Sequence, residues 1–143
     1  MVVSSTQSTH VFGATIGGND VVADEFKKVT EKTDALRQAV MTLESAPEEL
    51  VLHRVCLNVG RGNHVLRCNG DRVPLRSLRD VDRAMRCGTE DALTGALSDA
   101  AWKQATTGVD AEGLGQRLAV GTALPAFIAS RIGARPMVEE LCQ

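Results

Sequence analysis

Arg76, Arg79, Arg83 and Arg86 follow one another at spacings of 3, 4 and 3 residues, which on a helix stacks four guanidinium groups along one face. Leu78, Val81 and Met85 fall on roughly the opposite face. Arginine presents a planar fork of donors that matches phosphate oxygens, so such a row can follow a nucleic-acid backbone without reading its sequence. The competing reading is a solvated face neutralised locally, because Arg76 with Asp80 and Asp82 with Arg86 are i,i+4 pairs.

His53, Cys56, His64 and Cys68 supply the nitrogen and sulfur ligands that tetrahedral zinc takes, at helix-compatible i,i+3 and i,i+4 steps. On one continuous helix the two pairs stand too far apart to share an ion at a rise of about 1.5 Å per residue. Packed thiols and surface histidines are therefore the expectation, with no metal site. No GxSxG elbow is present, and Gly13, Gly17 and Gly18 form neither GxGxxG nor a P-loop. The carboxylate pairs Glu48-Glu49, Glu90-Asp91 and Glu139-Glu140 suit helix first turns and surfaces. No catalytic residue and no cofactor are assigned.

Several elements must position these groups. Residues 1–9 read as a flexible leader and 10–142 as one domain. The stretch 9–19 alternates β-branched and small residues between glycines, which predicts a short strand or hairpin. Val22, Phe26, Val29, Thr33, Leu36, Val40 and Leu43 then step by 4, 3, 4, 3, 4 and 3, a stripe along a long helix with Asp20 as its N-cap. That stripe is also a candidate seam for a homo-oligomer through residues 22–43. Ser45-Ala-Pro-Glu48 is a capping-box pattern opening a second helix toward Leu66, with a bend at Gly60 and Gly62 and an end at Asn69-Gly70. A third helix covers 78–93, with Leu93 inward and Gly95 as its stop. Ser98-Asp99 caps a short turn holding Trp102, and Pro125 divides the apolar run 118–132 into two pieces before a last helix at 137–141. The fold class is mainly α, a thumb-like helical bundle with a short N-terminal β element.

The bulk properties frame this reading. With 143 residues and 43% hydrophobic content the chain is long enough for one core. Residues 51–88 hold eight Arg and three Asp, a balance of +5 without a lysine, while 1–50 and 89–143 are both acidic. Aromatics make up 3% with no Tyr, so base stacking would fall to Trp102, Phe12, Phe26, Phe127, or a His or Arg side chain, and sequence-specific RNA reading is disfavoured. No signal-type leader and no apolar run of membrane-spanning length are visible, and Cys56, Cys68, Cys87 and Cys142 form no CxxC pair. Buried reduced thiols in an intracellular, cytoplasmic or nuclear setting, without a membrane partner, are the expectation.

Five segments, in order, resemble one family. Val11-Phe-Gly-Ala-Thr-Ile-Gly17 with the helix after it is similar to the VLGAPIG strand and helix that follow the catalytic motif in non-LTR-retrotransposon-type reverse transcriptases. Leu52-His-Arg-Val-Cys-Leu57 with Asn63-His-Val-Leu-Arg-Cys68 resembles their LLRLC and HLLRC helix. The stretches 97–105, 112–117 and 123–130 resemble LSDxAWxQA, GGLGLR and ALPAFLAS. The resemblance implies a primer grip at Val11, Phe12, Gly13, Ile16 and Gly17, followed by thumb and connection helices. Arg54, Arg61, Arg76, Arg79, Arg83 and Arg86 become candidate contacts to the backbone of RNA or an RNA–DNA hybrid. The palm carboxylates that hold two metal ions would precede residue 10, so the resemblance implies a non-catalytic portion of an RNA-directed DNA polymerase. Gly60, Gly62, Gly108, Glu112 and Gln116 depart from the family pattern.

Overall fold

The computed structural model describes residues 9–11 and 14–142. Of the primer-grip-like residues, Phe12 and Gly13 lie outside the described residues, as does nearly all of the expected leader. Strands β1 (Thr9–Val11) and β2 (Ala14–Ile16) pair antiparallel, with Thr9 opposite Ile16 and Val11 opposite Ala14. The rest is helical: α1 (Asn19–Val40), α2 (Ala46–Cys56), α3 (Asn63–Asn69), α4 (Leu75–Ala92), α5 (Asp99–Ala105) and α6 (Ala119–Leu141). No helix among the described residues is long and apolar enough to cross a membrane.

Helix α1 opens two residues earlier than expected. Gly18 arrives extended (φ −67°, ψ 170°), and its carbonyl accepts the amides of Val21 and Val22 at 3.1 and 3.2 Å. Gly18 is thus the N-cap in place of Asp20, whose carboxylate lies in the first turn, where the helix dipole favours it. Val22 and Phe26 are fully buried, and Val29 packs against them. The stripe then runs out of cover: Leu36 is 40% and Leu43 48% exposed. Only its N-terminal half is core.

The second expected helix is broken into α2, a 3-10 turn over Val59–Gly62, and α3. Asn58 makes the break, its Oδ1 accepting the Gly60 amide at 2.6 Å while its Nδ2 donates to the Arg54 carbonyl. Gly62 lets the Phe26 ring approach, since a Cβ there would lie 3.2 Å from Cε2. The capping box does not form. Ser45 sits at ψ 96°, well short of the 159° of Ser98, whose hydroxyl does accept the Ala101 amide at 3.2 Å. Ser45 contributes only its carbonyl, to the amide of Glu49 at 2.9 Å.

Val22, Phe26, Val59, Val65, Leu66, Val73, Leu78, Ala119 and Ala123 form the core. Helices α3 and α6 approach closely at Gly70, where a Cβ would be driven into the Ala123 carbonyl. Helix α4 starts from Pro74, whose carbonyl accepts the amides of Ser77 and Leu78, and buries Leu78, Met85, Gly88, Thr89 and Ala92. Leu93 lies outside the core at 41% exposure, because it falls about 100° round the helix from the buried Ala92, and Thr94 at φ 52°, not Gly95, takes the left-handed turn after the helix.

Helix α6 runs unbroken through Pro125 and Pro136. Each proline removes one bond of the helix ladder, an interior cost of about 3 kcal/mol. Both sit on exposed positions, where water can satisfy the freed carbonyls, while Ala119 and Ala123 hold the opposite side in the core. The thiols also differ from expectation: Cys56, Cys68, Cys87 and Cys142 are free and exposed, because the inward stripes of their helices are filled by other side chains.

Gly88 is where α4 admits its neighbours, since a Cβ there would meet the His53 imidazole and, at 2.9 Å, the Arg37 Cδ. Gly88→Ala should therefore lower stability by about 1–3 kcal/mol in urea denaturation. Gly133→Ala, with open space around the new methyl, should be neutral or stabilising by up to about 1 kcal/mol.

Candidate nucleic-acid interface

The arginines of α4 share a face but not a fate. Arg86 is committed to the protein: its Nε donates to Glu90 Oε1 at 3.0 Å, its Nη1 to Asp99 Oδ1 at 2.8 Å, and its Nη2 to the Leu97 carbonyl. Glu90 Oε1 also accepts the Leu97 amide at 3.0 Å, so one ion pair clamps the start of α5 to α4. That amide, then the Arg86 guanidinium, holds the Glu90 carboxyl below its ordinary range. Arg86 is a structural tie, and the expected pair with Asp82 does not form.

Asp82 turns instead toward α6, where its carboxylate accepts the Ala119 amide at 2.5 Å and the Val120 amide at 3.3 Å. Burial raises the Asp82 pKa and the two amide bonds oppose the rise. Asp80 is taken by Arg83 at 2.8 Å, an exposed pair that replaces the expected one with Arg76. Such surface pairs contribute about 0–1 kcal/mol and exchange readily for other anions. Arg76 and Arg79 are exposed, and no acidic partner is found for either among the described residues. The outward row is thus Arg76, Arg79 and Arg83.

Arg54 and Arg61 are exposed as well, on α2 and on the 3-10 turn after it. Arg54 lies over Gly115, which takes a left-handed φ of 68° and would place a Cβ 3.2 Å from Arg54 Nε. With Arg117, Asn58 and Gln116 it lines an open cleft of about 800 Å³ between the end of α2 and the start of α6. Gln116 is 2% exposed and its Nε2 has no hydrogen-bond partner among the described residues. Arg117 was legible in sequence only as the end of a glycine-rich stretch, because its neighbour Arg54 is far away along the chain.

The hairpin is held by the helical body. Asn69 Nδ2 donates to the Thr15 carbonyl at 3.1 Å and Arg72 Nη1 to the Gly17 carbonyl at 3.2 Å. Thr15 is buried, so the segment expected to act as a primer grip has part of its backbone already engaged. The histidine and cysteine quartet is not brought together: His53 is buried against Gly88, whereas Cys56, His64 and Cys68 are exposed. No group of three His, Cys, Asp or Glu among the described residues is placed to hold a metal ion.

No family model, no curated protein sequence and no solved structure matches this chain.

His53 makes stability depend on pH in the range just below neutrality. Burial lowers its pKa below 6.5, the nearby Arg37 charge adds to the fall, and Glu49 and Asp91 oppose it. A depressed histidine pKa means that the unfolded chain takes up a proton before the folded one does. Stability is therefore fully present above the ordinary value and falls as pH drops through 6.5 toward the folded value. The urea midpoint should be lower at about pH 5.5 than at about pH 7.5, and His53→Gln should flatten that difference.

Proposed function

We propose that this chain is a non-catalytic, thumb-like nucleic-acid-holding unit related to the C-terminal part of non-LTR-retrotransposon-type reverse transcriptases. In this reading it grips a template–primer duplex, RNA or an RNA–DNA hybrid, through phosphate contacts. The observation that carries it is the exposed, uncommitted row of Arg76 and Arg79, with Arg83 beside them, in a segment 51–88 with a balance of +5. Arg54 and Arg61 extend the basic surface on the preceding elements. The mainly helical body behind a docked hairpin, and the five ordered segments of resemblance, support the same reading. Arg86 is removed from the contact set, because its donors are used inside the fold.

Guanidinium contacts to phosphates release counterions, so affinity falls with salt at a slope of about 0.7–0.9 per contact in log–log form. A fluorescein-labelled RNA–DNA hybrid should bind at low salt with such a slope in anisotropy titrations. The Arg76→Glu, Arg79→Glu double variant should weaken binding by about tenfold or more, since each reversal replaces attraction by repulsion at a phosphate. Absence of salt-dependent binding, or an affinity indifferent to the double reversal, would contradict the proposal.

A further inference from the structure

Helices α1, α2 and α4 border a second feature, a partly open cavity whose rim reaches the arginine row at Asp80. Phe26, Val29, Leu57, Val59, Val81 and Met85 line a cavity of about 200 Å³. Protein interiors are packed like organic crystals, and a dry apolar cavity of roughly 150 Å³ already admits benzene. The space here is of that order, opens to solvent on one side, and matches the volume of one or two fused rings. Phe26 offers a ring edge or face and Met85 a polarizable thioether, both of which favour an aromatic guest over an aliphatic one.

The same cavity has one deep polar group. His53 lines it, is 3% exposed, and leaves Nε2 without a hydrogen-bond partner among the described residues. A buried polar atom without a partner is costly, and a guest bearing one hydrogen-bonding group would satisfy it. The outer edge is acidic. Glu31, Asp34 and Asp80 line it, and the one cation there, Arg37, is bonded at 3.1 Å to both Asp34 and Asp91.

We propose that this cavity is a binding site for a neutral one- or two-ring aromatic molecule carrying a single hydroxyl or ring N–H, with His53 Nε2 as its hydrogen-bond partner. Ring burial supplies the affinity, and the histidine selects the polar substituent and its depth. The site does not depend on nucleic-acid binding.

The test is an NMR titration of the isotopically labelled full chain with indole, phenol, benzene and benzoate. Indole and phenol should give saturable shifts confined to the residues around Phe26, Val29, His53, Val81 and Met85. Benzoate, with the same ring and a negative charge, should bind at least about tenfold more weakly. Ala84→Leu, which places a larger side chain into the lining, should reduce indole affinity at least about tenfold while raising the thermal midpoint. If that variant does not fold, Val29→Ile fills the same space with one methylene. Scattered or non-saturating shifts, or a filled variant that binds indole unchanged, would overturn the site, and equal affinity for benzene and phenol would overturn the role of His53.

Discussion

A helix advances 100° per residue, so one that packs against neighbours on several sides leaves only a narrow sector for anything else. Helix α4 is under that constraint. Its Leu78, Met85, Gly88 and Ala92 side meets the bodies of α1 and α2, Asp82 beside it receives the start of α6, and Arg86 and Glu90 hold the start of α5. What remains outward is the sector of Arg76, Arg79 and Arg83. The composition of the outward arginine face is thus the remainder of a packing problem, and Gly88 is the residue that lets the problem be solved, by giving His53 and Arg37 room against the helix.

Competition between local and distant partners decides which charges are free. Asp82 and Arg86 are four residues apart and could pair, yet a surface pair contributes about 0–1 kcal/mol whereas capping a helix start contributes about 0.5–2. Asp82 goes to the α6 amides, and Arg86 is then available to clamp the 97–99 segment through Glu90 and Asp99. Asp80 is left to Arg83. One carboxylate choosing amides over a guanidinium leaves Arg86 to the clamp on α5.

Much of this is legible in the sequence. The alternation of 4 and 3 put Val22, Phe26 and Val29 on one inward face, Gly60 and Gly62 marked the break after α2, and Ser98 was placed as the cap of α5. Sequence pattern and structure part where the deciding partner is remote in sequence. Whether Leu36 and Leu43 are covered depends on where the neighbouring helices end, and whether Pro125 stops a helix depends on the face it occupies. The cavity wall at His53 and the cleft between Arg54 and Arg117 join residues from separate elements, so no local spacing announces either. The arginine row itself was readable as a pattern, but its division into tied and free members was not.

That division is the central claim, and arginine side chains report on it directly. In the NMR spectrum of the 15Nε-labelled guanidinium groups, titration with a short RNA–DNA hybrid should shift the Nε–Hε signals of Arg76 and Arg79 and leave that of Arg86, bonded at 3.0 Å to Glu90, in place. A shift at Arg86 comparable to those at Arg76 and Arg79, or no movement of any arginine signal while the hybrid binds, would contradict the account.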